Sequence, residues 1–381
     1  AMLRSQRLSS FYLWIFDKAT PEFAVSNDIM PALLRLFGCS GSVVKAFLRT
    51  MDPQQIPSRL LKRQPLEIIT SSNMEDVSWS NVAQDASLQR LHMLGGACFA
   101  RFCLFLEPDD VKTRVAKVLD WARGKQDKLL ARPEDVLHED ASKTLAAVSA
   151  LTTLTVEADG LAEELLMPLT TKDISSALKT SHSVALRITR EKLPRKRRRT
   201  LSGARTEKEV LSSESWWWYD VAMACLNYLS LSFKQGSNIG PEGKVWAESF
   251  EELLEPCVAM LDVFEFLAVD DAICSSLSQV LQSALVAMTA SSAEDGVKRM
   301  MQAVLEKTRS EDAEVVLVAL RCAHRIWSDL GIQVVMSLSE VVMYTSELQD
   351  HEDSRVETEV KAMVRTIEDC TGESLHDAMK T

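Results

Sequence analysis

Apolar residues recur every three or four positions along most of the chain, and in its last third they do so twice in the same order. From Val316, the residues Ala319, Leu320, Ala323, Ile326, Trp327 and Leu330 follow i, i+3, i+4 spacing and predict one buried helix face. From Val356, the residues Val360, Met363, Val364 and Ile367 write that stripe again. The offset is 41 residues and extends past the stripe: Glu311 matches Glu352, Asp312 matches Asp353, Val315 matches Val356 and Gly331 matches Gly372. Each acid pair stands where a helix should begin, so negative charge meets the free N–H groups of a first turn. Each glycine stands where a left-handed residue would close that helix. Between the copies, Val334, Leu338, Val341, Val342, Thr345 and Leu348 predict a second helix. The order is helix A, a short turn, helix B, an acidic turn, and helix A again. One fainter step lies further back, where Asp271 aligns with Asp312, Cys274 with Val315 and Leu285 with Ile326.

Two amphipathic helices in a 41-residue period are the signature of a helical solenoid. Neither hairpin can bury its apolar face alone, whereas stacking on its neighbours can. An Asp in the inter-repeat turn, followed three residues later by Val, resembles the HEAT repeat. The expected fold is therefore all-α: a HEAT-repeat α-solenoid, a right-handed superhelix of antiparallel helix pairs. An irregular all-α domain is the alternative. Upstream, "HEDASKTLAAVSALTTL" from His138 has the acid-led start, and "LQRLHMLGGACFARFCLFL" from Leu88 reads as a buried helix, but neither keeps a clean register. The expected organisation is divergent helical repeats over 1–192, a basic and flexible loop over 193–213, and C-terminal HEAT repeats over 214–381.

Composition agrees and narrows the classes. Of 381 residues, 46% are hydrophobic, which supports a large core, and only 13 Gly and 11 Pro favour long helices over turn-rich β structure. A net charge of −11 excludes the whole chain as a general nucleic-acid binder and leaves only local contact. None of the eight cysteines forms a CxxC pair, and most sit in apolar helical patterns, as reduced structural thiols of a cytosolic or nuclear protein do. No stretch approaches the roughly 18 uninterrupted apolar residues of a membrane span. The opening "AMLRSQRLSSFYLWIFDKA" reads as an amphipathic helix rather than a signal peptide. Its leading Ala1-Met2 reads as a cloning remnant, so the sequence is expected to be a fragment of a longer protein.

Catalytic chemistry has no foothold in the pattern. The six histidines show no HExxH spacing and no local Cys partner, and GxGxxG, P-loop and GxSxG strings are absent. The expectation is no catalytic residue, no metal and no cofactor, with His324 in a structural role among core residues. The strongest local signal is Arg195, Lys196, Arg197, Arg198 and Arg199, five consecutive cations. They lie within Arg187 to Lys208, which holds ten basic residues and two acids. Such a run repels itself into an extended, solvated segment. It reads as a nuclear-import signal, as a phosphate-contacting RNA site, or as a loop without a partner. No aromatic residue interleaves the run, so any RNA contact would be backbone-directed and salt-sensitive. Trp216, Trp217 and Trp218 cannot share one helix face, since neighbours stand about 100° apart. Either that helix is buried nearly all round, or an indole projects to a partner.

The last stretch resembles a known family. Leu338-Ser339-Glu340, Glu347-Leu348 with Asp350, Glu352 and Asp353, Val356-Glu357, and the terminal Gly372-Glu373-Ser374-Leu375 are similar to the C-terminal end of the large HEAT-repeat protein of the small-subunit processome. This is the U-three-protein-ten family, HEAT repeat-containing protein one in animals. Ser339 stands where the family usually has proline. The resemblance implies a nucleolar, non-enzymatic scaffold of ribosome biogenesis that assembles on the 5′ leader of pre-ribosomal RNA and is linked to ribosomal DNA transcription. It implies other processome scaffold proteins as partners, including β-propeller proteins, together with the box C/D small nucleolar ribonucleoprotein, and no membrane. Another HEAT-repeat adaptor, such as a nuclear transport receptor or a signalling scaffold, is the alternative.

Overall fold

The structure is a computed structural model and describes residues 108–123, 144–156 except 146 and 153, 166–192, 217–237, 244–266 and 272–375 except 373. Every regular element among the described residues is helical. The chain divides into two compact units, one of residues 1–161 with 211–217 and one of residues 162–210 with 218–381.

In the first unit, α1 runs from Pro108 to Arg123. Proline suits a helix start because its missing N–H would be unpaired there anyway. Val111, Val115, Val118, Leu119 and Ala122 are buried, and their i, i+4, i+7, i+8, i+11 spacing makes them one face. Helical residues within 144–156 bury Ala147, Val148, Ala150, Leu151 and Leu154, as the pattern from His138 anticipates.

The second unit holds α2 (Met167–Lys192), α3 (Trp217–Ser237, from Trp218 on), α4 (Lys244–Ala259), α5 (Ala272–Ala290), α6 (Glu294–Glu306), α7 (Ala313–Leu330), α8 (Leu338–Glu347) and α9 (Ser354–Thr371). The starts of α5, α7 and α9 at Ala272, Ala313 and Ser354 are each 41 residues apart, so the faint third copy shares the register of the other two. α5 packs on α7 and α7 on α9, while α2, α4, α6 and α8 form a second row in which each touches the next. This is the HEAT-type arrangement of an all-α helical-repeat solenoid, with the core between the two rows.

The capping residues act as their spacing implies. The Asp312 carboxylate accepts from the Glu314 N–H at 3.0 Å, and Asp353 accepts from the Arg355 N–H at 2.8 Å. Gly331 and Gly372 carry positive φ angles of 54° and 72°, and their N–H groups close the helices on Trp327 and Glu368 carbonyls.

Helix B departs from expectation at its start. The sequence pattern begins it near Val334, but Gly331–Ser337 is a 3-10 segment and α8 starts only at Leu338. Gly331 has ψ −124°, which turns the chain out of α geometry, and the Ser337 hydroxyl donates to the Val334 carbonyl at 2.7 Å instead of capping α8. The span Ala313–Glu347 has the length and apolarity of a membrane-crossing helix. It is nevertheless broken at Gly331–Ser337, and α7 buries Val315 through Leu320 in the protein core.

α4 contains Pro256, which has no N–H to offer the Glu252 carbonyl one turn back. The Ser175 hydroxyl of α2 stands 3.3 Å from that carbonyl and 2.9 Å from the Glu252 carboxylate. Two further pairs, Thr171–Ser249 and Thr170–Tyr228, each at 2.9 Å, continue a polar seam that joins α2 to α4 and α3. This seam ties α2 to helices beyond residue 214.

Candidate interaction surface

The turns that precede α7 and α9 form one edge of the repeat array, built by the caps that start those helices. Glu311, Glu347, Asp350, His351, Glu352 and Asp353 line a shallow depression there. Not all of this charge is open. Arg309 reaches Glu347 through two hydrogen bonds of 3.1 and 2.8 Å, and its guanidinium lies 4.5 Å above the Tyr344 ring. Arg355 donates to Asp353 at 2.8 Å and to Glu314 at 2.6 Å. Glu314 and Arg355 occupy equivalent positions of successive repeats, so this pair links one repeat to the next.

The two cap carboxylates differ in their titration. Burial raises Asp312 above the ordinary carboxylate value, with Glu265 and Glu314 adding to it against the pull of two backbone N–H groups. The hydrogen bond from Arg355 holds Asp353 below that value, against a smaller effect of burial. Asp262 is raised by burial, but the hydrogen-bonded Lys307 ammonium and the His182 ring nitrogen 3.7 Å away outweigh it and leave the group lowered. Both Asp262 oxygens accept from the Lys307 ammonium at 2.8 Å.

A second clamp joins α7 to α9. His324 Nδ1 is 2.6 Å from Glu359 Oε1, and its Nε2 is 2.8 Å from Thr366 Oγ1. Acid, imidazole and hydroxyl stand in the order of a nucleophilic triad. Thr366 also lies 3.2 Å from the Ala362 carbonyl, as a helical threonine does, and none of the three side chains lines the depression. The arrangement fixes two helices to each other. Among the described residues, no group of three or more His, Cys, Asp or Glu could hold a metal ion.

The sequence-predicted site residues fall as follows. Arg195, Lys196, Arg197, Arg198, Arg199 and Trp216 lie outside the described residues. Trp217 begins α3, and its side chain is outside the described set. Trp218 is in the core at 1% exposure, with Tyr219 edge-on at 6.0 Å, so the partner-facing reading of the triplet rests on Trp216 and Trp217.

What the sequence reading missed is an exposed apolar strip. Among the described residues, the exposed large hydrophobics are Val156, Ile332, Val335 and Met343, and three of these four fall within 332–343. A signal was present, because Ile332, Val335 and Met343 stand off the stripe assigned to the core, as does the half-buried Met336.

No protein-family model matches the chain. Curated proteins do match part of it. Over 101 residues, 26% of this chain, it is 41% identical to the U3 small nucleolar RNA-associated protein 10 of Pyricularia oryzae. Over 83 residues, 22% of the chain, it is 36% identical to the protein of that name from Neurospora crassa. Over 156 residues, 41% of the chain, it is 30% identical to the HEAT repeat-containing protein 1 homolog of Drosophila melanogaster. These matches span 6%, 5% and 7% of the three relatives, so the chain corresponds to a small part of their length. The resemblance read in the C-terminal stretch holds over part of the chain.

Proposed function

We propose that this chain is a structural segment of a ribosome-biogenesis protein, a non-enzymatic HEAT-repeat scaffold of the particle that contains U3 small nucleolar RNA. The observation that carries the reading is the 41% identity over 101 residues to a protein named for association with that RNA. The stacked helical hairpins support it physically, because an array of repeats offers long surfaces for partners. In this reading the protein works in the nucleolus within the small-subunit processome and serves maturation of small-subunit RNA. Its helical faces hold neighbouring scaffold proteins, β-propeller proteins among them, and the box C/D small nucleolar ribonucleoprotein. The run Arg195–Arg199 supplies nuclear import or contact with phosphates of the pre-ribosomal RNA 5′ leader.

Affinity capture of the tagged chain, followed by RNA sequencing, tests the scaffold. The expected result is enrichment of U3 small nucleolar RNA and pre-ribosomal RNA over spliceosomal RNAs. Equal recovery of all small RNAs would remove the reading in favour of a transport or signalling adaptor. Replacing Arg195–Arg199 by alanine separates the two uses of the basic run. Loss of nuclear accumulation of a fluorescent fusion marks import, and a shallower salt dependence of RNA binding marks phosphate contact.

A further inference from the structure

The exposed strip lies on α8 and on the 3-10 segment before it, the last of its row among the described residues. α6 is covered by α4 on one side and α8 on the other, and α8 in turn packs on α6 and on the 3-10 segment before it. Ser337, Val341, Tyr344, Thr345 and Leu348 are its buried face, spaced i, i+4, i+7, i+8, i+11. Off this face stand Met343, 45% exposed, and Val342, half-buried although the sequence pattern puts it on the core stripe. Ile332 and Val335 extend the strip at 61% and 38% exposure, and their i, i+3 spacing aligns them on a 3-10 segment. The exposed Ser339 lies between the two apolar pairs, and its small side chain leaves room for close approach.

Charge narrows what fits there. From Gly331 to Ser354 the chain carries five acids, Glu340, Glu347, Asp350, Glu352 and Asp353, and no Lys or Arg. Glu347 and Asp353 have arginine partners, whereas Asp350 and Glu352 are exposed on the rim. A segment that carries the apolar strip, five acids and no cation favours an apolar surface that carries cations. It disfavours a nucleic acid, whose phosphates it would repel.

We propose that the strip Ile332–Val335–Val342–Met343 docks an amphipathic helix of a partner protein, with an apolar stripe flanked by Lys and Arg. Helix-in-groove recognition of this kind is read by anchors at i, i+3, i+4 and i+7. The proposal rests on the scaffold reading and names one class of partner for it.

The test has two arms. In the first, the full chain carries a photoreactive benzoylphenylalanine at Met343, or at the exposed Thr358 of α9 as control, and is irradiated in extract of its source cells. Expected is a cross-link from 343, absent from 358, to a partner peptide with a helical apolar period and Lys or Arg on its flanks. Cross-links to RNA, to a second copy, to residues 187–208 or 376–381 of this chain, or to nothing, would overturn the proposal. In the second arm, the purified chain binds a labelled Leu/Lys amphipathic helix, with the scrambled peptide as reference. Met343→Glu and, separately, Ile332→Glu should weaken binding about tenfold, since each removes an apolar anchor, with circular dichroism unchanged. Equal binding of the scrambled peptide, or no effect of both substitutions, overturns it. Sedimentation of the same extract keeps the two readings apart. A chain found with pre-ribosomal RNA but lacking the cross-link sinks only the docking strip. A chain absent from those fractions sinks the scaffold reading, while the peptide arm still decides the strip.

Discussion

α7 and α9 are written in one register and end in different surroundings. At the positions they share, Val315 and Val356, Ala319 and Val360, Cys322 and Met363, and Ile326 and Ile367, both members of each pair are buried. They diverge on the rest of the helix. Val316, Leu317, Val318, Leu320 and Trp327 of α7 face Glu357, Thr358, Glu359, Lys361 and Glu368 of α9 at the 41-residue offset. All five of the α7 residues are at most 1% exposed, because α7 is packed between α5 and α9. The shared code of cap, stripe and glycine specifies a helix with one buried face. The unshared positions decide whether that helix has neighbours on its other sides.

The largest break in the comparison comes from exchanging these unshared positions one at a time. Leu320→Ala leaves a cavity in a core with no exposed edge and should cost about 2–5 kcal/mol. Lys361→Ala, its counterpart, removes an exposed side chain and an i,i+4 pair with Glu357, so it should stay within about 0.5 kcal/mol. Hydrogen exchange of α7 and α9 amides reads both. Similar losses for the two variants would mean that α9 is not the one-faced helix its sequence describes.

Next in size are the two glycines. Gly372 has φ 72° and ψ 7°, in the left-handed region that asparagine tolerates, and a Cβ there would meet nothing within 4 Å. Gly331 has φ 54° with ψ −124°, outside any region that side-chain-bearing residues favour. Gly331→Ala should therefore cost about 1–3 kcal/mol, and Gly372→Ala about 1–2 kcal/mol. Gly372→Asn should recover most of its loss while Gly331→Asn should not, as thermal melts of the four variants will show.

These cases also show what sequence alone conveys. The periodic elements were legible because caps and stripe repeat at one offset, and the third copy at Ala272 was recoverable from Asp271 and Leu285. The docking of α2 was not legible. Its hydrogen bonds to α3 and α4 run through Thr170, Thr171 and Ser175, and hydroxyl residues leave no trace in a search for apolar periods. The segment from Val334 to Ser337 was read as part of a helix because a 3-10 turn and an α turn place apolar residues at similar spacings. Of the candidate site, the acids at the helix starts were visible. The Arg309–Glu347 pair was not, since its members stand 38 residues apart. The exposed strip escaped because an apolar residue off the core stripe reads as noise until its burial is known.

The caps themselves form the third contrast. Asp312→Ala and Asp353→Ala each remove one hydrogen bond to a first-turn N–H and should cost about 1 kcal/mol. Asp353 has the larger loss, because it also holds the Arg355 guanidinium. Denaturant unfolding followed on the helical signal measures both, and equal losses would argue that the arginine adds nothing at this cap.

The smallest effect on stability sharpens the comparison most. Asp312 and Asp353 are equivalent caps displaced in opposite directions, one raised by burial and one lowered by Arg355. A lowered carboxylate contributes stability above its unfolded value of about 3.9, and that contribution is lost as pH falls through the folded pKa. A raised one contributes below the unfolded value and loses it as pH rises through the folded pKa. Acidification from about pH 5 therefore weakens the Asp353 cap while it favours protonated Asp312. Carboxyl carbon NMR of aspartate-labelled protein should show Asp312 titrating above Asp353. Arg355→Met should move Asp353 upward, toward Asp312, and leave Asp312 in place. Its cost should stay within about 1 kcal/mol, because Arg355 is 37% exposed and solvent screens the pair. An unmoved Asp353 in that variant would show that the difference between the two caps comes from burial alone, and that the arginine linking successive repeats has no part in it.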